Sequence, residues 1–186
     1  MSGLSWDQAL IVQQADGVAL TNSATATAIE AAQAKTTIQP NIILPNSMFR
    51  VVAGGRISTL TAAPGTLTLD MRIGGSTVIW TGGAMSLDVT AQTNASWLLE
   101  AYLMTRATGN VASFIGIGTW TSRAVIGSGA LAATGVGTLV LPDTAPVVGS
   151  TFDNTTSQTL DLFATWSVAN AANSIQTHIF TIESMN

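Results

Sequence analysis

Cysteine is absent from this chain and charge is scarce: 9% of the residues are Asp, Glu, Lys or Arg, against roughly a quarter in an ordinary soluble domain. Without thiols there is no disulfide framework, no thiolate metal site and no cysteine nucleophile, and neither a reducing nor an oxidising compartment is indicated. One histidine, His178, and one lysine, Lys35, extend the shortage. A zinc site would need further His or Cys ligands that the chain does not contain. No phosphate-binding loop surrounds Lys35, so ATP-driven chemistry is ruled out. The basic residues (Lys35, Arg50, Arg56, Arg72, Arg106, Arg123) are dispersed, and the net charge is -4. With no basic stripe, phosphate neutralisation on a nucleic acid is disfavoured.

Also lacking are strong amphipathic helical patterns and a basic, apolar N-terminal leader, so a secretory signal is not expected from Met1 to Leu10. One uncharged run, Ala124 to Leu141, is long enough to raise the question of a membrane span. Gly127, Gly129, Gly135 and Gly137 would weaken a helix there, whereas a strand, a glycine-rich loop and a second strand account for them. Val125 to Ala132 imitates a dinucleotide-binding turn, but later glycines interrupt the helix it would open and no acidic residue follows at the ribose-binding distance.

What the chain has in abundance is Thr, Ser, Asn and Gln interleaved with short apolar alternations, at a mean hydropathy of +0.41. Such a surface suits burial against other protein, because a hydroxyl is cheaper to desolvate than a charge. At 186 residues and 19.1 kDa there is room for one sizeable core and not two. Residues 1–45 read as an extended arm: Trp6 is their only aromatic, their apolar pieces are short, and Thr25 to Lys35 predicts a short helix that would need something to lie against.

From residue 46 to 186 the periodicity is two. Leu67, Leu69, Met71 and Ile73 alternate with Thr66, Thr68, Asp70 and Arg72, Gly74-Gly75 supplies a tight turn, and Thr77 to Thr81 returns. Further strands are expected at Phe49 to Val52, Arg56 to Thr61, Met85 to Thr90, Trp97 to Arg106, Ala112 to Thr121, Thr138 to Leu141, Thr159 to Ser167 and Ser174 to Ser184. Turns are expected at Ala53-Gly54-Gly55, Ala63-Pro64-Gly65, Gly82-Gly83, Thr108-Gly109-Asn110, Pro142-Asp143 and Asp153-Asn154. About nine to eleven such strands predict an all-β, antiparallel β-sandwich, with a jelly roll as the expected version.

Catalytic signatures are weak. His178 lies in an alternating strand with no nucleophile elbow elsewhere, and an intersubunit contact is the better expectation for it. Asp70 and Glu100 fall where Arg72 and Arg106 could reach them. As a glycosidase pair they would need a fixed separation in a cleft; Trp80, Trp97, Trp120 and Trp166 keep a carbohydrate site open, with core or interface packing as the stronger expectation. Asn94-Ala95-Ser96 and Asn154-Thr155-Thr156 match the glycosylation pattern and read as polar loops. No catalytic, cofactor or metal residue is assigned.

From Gly54 onward the chain resembles a family of tailed-bacteriophage virion proteins, on Gly55-Arg56-Ile57-Ser58-Thr59-Leu60, Pro64 to Gly74, Trp97-Leu98-Leu99-Glu100-Ala101, Asp161 to Ser167 and Ser174 to Asn186. The resemblance implies a β-sandwich virion subunit and no activity. The expectation is therefore a non-enzymatic capsid-associated decoration or minor capsid protein on the capsid surface. It would be a homotrimer, bound to the major capsid protein or a neighbouring virion protein, with no nucleic acid, membrane or cofactor. The alternative is a tail or fibre component binding a host-surface glycan. Residues 1–45 and the 127–137 loop, outside the matched motifs, are where partner choice would be encoded.

Overall fold

In the computed structural model, which describes residues 7–35, 37–128 and 137–185, the chain forms two antiparallel sheets packed face to face. The alternation read at Leu67 to Ile73 is the clearest case: β6 (Thr66–Ile73) buries those four apolar residues completely or nearly so. It turns at Gly74 and Gly75, both at positive φ, into β7 (Thr77–Leu87). Outside this hairpin, β5 (Met48–Thr59) pairs with β8 (Gln92–Ala107) in the other sheet. Next, β3 (Thr27–Ala28) pairs with β12 (Gln158–Trp166) back in the first sheet. Outermost, β1 (Asp7–Val12) pairs with β13 (Ser174–Met185). Four nested pairs alternating between two sheets, joined through β13 to β5 and β12 to β6, are the jelly-roll topology.

An insertion between β8 and β12 widens the roll. Strands β9 (Ser113–Ser122) and β11 (Thr138–Leu141) add to the β8 side of one sheet, and β10 (Val125–Ser128) adds to β7 in the other. With the short β2 (Leu20–Thr21) on β13 and β4 (Thr37–Ile38) on β12, the sheets count seven and six strands among the described residues. The run Ala124 to Leu141 thus holds strands of different sheets near its two ends, β10 from Val125 and β11 up to Leu141, and its residues 129–136 lie outside the described ones. No helix among the described residues is long and apolar enough to cross a membrane.

Three sequence expectations change. The segment set apart as an arm is extended, but its described residues supply the outermost strands of both sheets, and Ile11, Ile29, Ala34, Ile38 and Ile43 join the sandwich's own core. The apolar pieces are too short for a core of their own and long enough to complete one. The helix expected over Thr25 to Lys35 is instead β3 followed by one 3-10 turn at Ala32–Ala34, because the free edge of β12 offers backbone partners that an isolated short helix cannot match. Finally, Ala53-Gly54-Gly55 and Gly82-Gly83 are not turns; they lie inside β5 and β7. Gly55 sits opposite an irregularity in β13 between Thr177 and Ile179, where a β-carbon would run into the Gln176 carbonyl. Gly83 takes φ +74 beside a bulge between Thr68 and Asp70. Both glycines mark bulges, which sequence alone does not separate from hairpin turns.

The core centres on aromatics. Trp97 and Trp120 stack at 4.8 Å between centroids with planes 12° apart, and Phe49 meets Phe114 edge-on at 5.6 Å. Trp80 and Trp166 are buried as well, so the four tryptophans offered as a carbohydrate platform are packing residues.

Two substitutions test this account. Gly55→Ala should cost about 1–3 kcal/mol, since a backbone carbonyl must move to admit the methyl group, and lower the urea midpoint at unchanged slope. Trp120→Ala, which empties the centre of the sandwich, should cost about 3–5 kcal/mol in the same assay. A neutral result for either would contradict the register of β5 against β13 or the inward aim of β9.

Candidate interaction surface

Alternation in β8 sends Ala95, Trp97, Leu99, Ala101 and Leu103 into the core and leaves Leu98, Glu100, Tyr102 and Met104 on the outer face. In β9 the inner set is Phe114, Gly116, Gly118 and Trp120, and Ile115, Ile117, Thr119 and Thr121 face out. The register aligns Tyr102 with Ile117, Met104 with Ile115 and Leu98 with Thr121. Across β8 the rows continue to Met48, Arg50, Val52 and Gly54 of β5, and beyond it to Glu183, Thr181 and Ile179 of β13. Val12 of β1, opposite Thr181, and Val140 of β11, opposite Thr119, stand at the two margins.

This face is apolar and open. Val12, Leu98, Met104, Ile117, Val140 and Ile179 are each 46–56% exposed. Six strands at about 4.8 Å spacing, over some seven residues of strand, give a surface about 25 Å on each side before side chains are added. That is of the order of the ~800 Å² per partner buried in a standard interface.

At its centre three charges are bonded to one another, while Arg56 at one end of β5 is exposed and bonded only to the neutral Gln176. Arg50 Nε donates to Glu100 Oε1 at 2.8 Å and Nη1 to Glu183 Oε2 at 3.3 Å, while the Tyr102 hydroxyl donates to the same Glu100 oxygen at 2.8 Å. The hydrogen bond from Tyr102, then that from Arg50, holds the Glu100 carboxyl below its ordinary value. The same contacts with Glu100 raise both Arg50 and Tyr102. A cation shared by two carboxylates can be covered by a partner at lower cost than an unpaired charge. Sequence reasoning placed Glu100 within reach of Arg106; the register gives it Arg50 instead, with Arg106 exposed near the end of β8. The available signal was that Leu98, Tyr102, Met104, Ile115 and Ile117 make the outward half of β8 and β9 nearly as apolar as the inward half.

The outer face of the six-stranded sheet is different. It carries Thr66, Thr68, Asp70 and Arg72 beside Thr159, Asp161, Phe163 and Thr165. Asp70 is paired with Arg72 at 3.1 Å, as the sequence suggested, and the Arg72 guanidinium lies 4.5 Å over the Phe163 ring. Asp70 and Glu100 therefore project from opposite sides of the sandwich and cannot flank one glycosidic bond. His178 sits at the β13 irregularity and meets Asp16 Oδ1 at 2.8 Å in a partly exposed pair. Among the described residues no three His, Asp or Glu side chains gather as metal ligands. Nor is an aromatic platform open there: Tyr102 and Phe163 are the only described aromatics that reach solvent. Asn154, expected in a polar loop, is buried and donates to the Ile43 carbonyl, pinning the N-terminal segment.

No family model matches the chain, and no curated protein does. Among solved structures, the CBM2 module of the Lactobacillus casei BL23 phage J-1 evolved Dit is similar to it at 11% identity and a TM-score of 0.31, over 81% of this chain and 67% of that one.

Proposed function

We propose that this protein is a structural subunit of a tailed-phage virion, a capsid-associated decoration or minor capsid protein without enzymatic activity. In this reading it self-associates as a homotrimer and contacts a neighbouring shell protein. The observation that carries the proposal is the outer face of the seven-stranded sheet, a broad surface rich in exposed apolar side chains whose central charges, Arg50, Glu100 and Glu183, are bonded to one another. The low charge of the whole chain and the resemblance of residues 54–186 to phage virion proteins support the same reading. The alternative of a glycan-binding tail component loses its tryptophan platform, because Trp80, Trp97, Trp120 and Trp166 are all buried.

Sedimentation velocity at micromolar concentration should give a single species at three times the 19.1 kDa chain mass. Leu98→Arg and Ile117→Arg should each convert it to monomer, with a stability change within about 0.5 kcal/mol because neither side chain belongs to the core. A wild-type monomer, or a trimer indifferent to both substitutions, would overturn this use of the face. Added to phage heads lacking it, the wild-type protein should bind in fixed stoichiometry, and binding to tails alone would move it off the capsid.

Host envelope polysaccharide incubated with the protein should release no reducing sugar. Release that disappears in Asp70→Asn or Glu100→Gln would refute the non-enzymatic reading.

A further inference from the structure

Where the N-terminal segment runs along the open edge of β12, its backbone ladder is interrupted. Ala28 and Thr27 pair with Phe163 and Ala164, and Ile38 and Thr37 pair with Gln158 and Thr159. Between them Leu162 has its carbonyl served by the Ile29 N–H at 2.9 Å, but its own N–H donates to a side chain, Glu30 Oε2, at 3.2 Å. Glu30 thus takes the place of a missing strand carbonyl, and it is 2% exposed.

Asp161, the next residue on β12, is 4% exposed and accepts the Thr159 hydroxyl on Oδ2. Each carboxyl then has one buried oxygen without a donor, Glu30 Oε1 and Asp161 Oδ1. The two groups lie within side-chain hydrogen-bonding reach of each other. Two buried acceptors in that relation satisfy one another only if one of them carries a proton.

We propose that Glu30 carries a proton that it donates to Asp161, and that this proton fastens the segment from β3 to β4 onto the β12 edge, so that the segment loosens when the proton is lost.

The surroundings set the sign. Lys35 Nζ is 3.6 Å from Glu30 Oε1, partly exposed, and favours the charged form. Arg72 of β6 lies opposite Asp161 in register, but its guanidinium is turned to Asp70 and Phe163. The other side chains bonded to the segment, Gln13 and Thr177, are neutral. Desolvation is the largest influence on Glu30, with Asp161 adding to it, and together they push its carboxyl up to about 7. A carboxyl whose folded value exceeds its unfolded one favours the folded state most at low pH. The contribution is complete below the ordinary value of 4.5 and is lost as pH rises through about 7.

Amide hydrogen exchange on the full chain tests this directly, with protection factors corrected for intrinsic rates. Protection of the Ile29 and Leu162 amides should fall roughly 10- to 100-fold between pH 5 and pH 9, while amides in the middle of β5 keep theirs. In Glu30→Gln the amide oxygen still accepts the Leu162 N–H and its NH2 group donates permanently to Asp161, so the pH dependence should vanish. Asp161→Asn, donating to Glu30 Oε1, should remove most of it by the same logic. Lys35→Met withdraws the cation that favours the charged form, and should move the loss of protection to higher pH. Equal pH courses for wild type and both amide variants would overturn the proton between Glu30 and Asp161. So would a loss spread evenly into β5, or a shift to lower pH in Lys35→Met.

Discussion

The architecture depends on the register of three neighbouring strands, β5, β8 and β9. In most antiparallel sheets one apolar and one polar face fix the register, because a slip of one residue would turn the core out into water. Here that protection is weak, since β8 and β9 carry large apolar residues on both sides. Shape and charge do the fixing instead. On the inside, Trp97 and Trp120 stack only if Leu99 stands opposite Trp120 and Trp97 opposite Ser122. On the outside, Arg50 reaches Glu100 and Glu183 only if β5 is aligned with both of its neighbours. A slip in either direction would separate the two rings and leave three charges without partners on an apolar face. The ion trio is thus a register device as much as a surface feature.

Much of the roll was legible from alternation, and the failures have a common cause. Strands such as Leu67 to Ile73 and Thr138 to Leu141 were marked by period two and by turn residues that act locally. Gly54-Gly55 and Gly82-Gly83 misled because a glycine needed for a close approach looks the same as one needed for a turn. The N-terminal strands were missed because two-residue β3 and β4 carry no period at all; only the vacant edge of β12, a property of the folded sheet, gives them a place. Glu30 was invisible for the same reason: nothing in Ala28 to Ala31 says that a carboxylate will accept, in place of a strand carbonyl, from an N–H 132 residues away along the chain. The apolar outer face is written in the alternation itself, in Leu98, Tyr102, Met104, Ile115 and Ile117 set between the inward residues of β8 and β9.

The two outer faces resolve the same scarcity of charge in opposite ways. On the six-stranded sheet the carboxylates Asp70 and Asp161 are drawn into buried contacts, and Arg72 stacked on Phe163 shares the other outward positions of β6 and β12 with threonines. On the seven-stranded sheet Arg50 stays near the surface and is shared by Glu100 and Glu183, and many of the positions around them are apolar. One face therefore holds its charges in buried contacts, and the other leaves large apolar side chains exposed. In the proposed role such one-sidedness would give the subunit a defined orientation, because one of its broad surfaces gains more than the other by losing water.

The insertion between β8 and β12 is what creates that surface. An unextended jelly roll would end this sheet at β8, placing Leu98, Glu100, Tyr102 and Met104 on an edge strand with open backbone groups, where association would proceed by strand addition. Adding β9 and β11 moves the edge two strands outward, satisfies the β8 backbone, and supplies Ile117 and Val140 as a second apolar flank. The Arg50, Glu100 and Glu183 trio then lies in the interior of the face, with Ile179 and Val12 on one side and Ile117 and Val140 on the other. A partner docking on this face, as proposed, would meet side chains rather than unpaired backbone, and their shape and spacing would distinguish one partner from another where a bare strand edge would accept many.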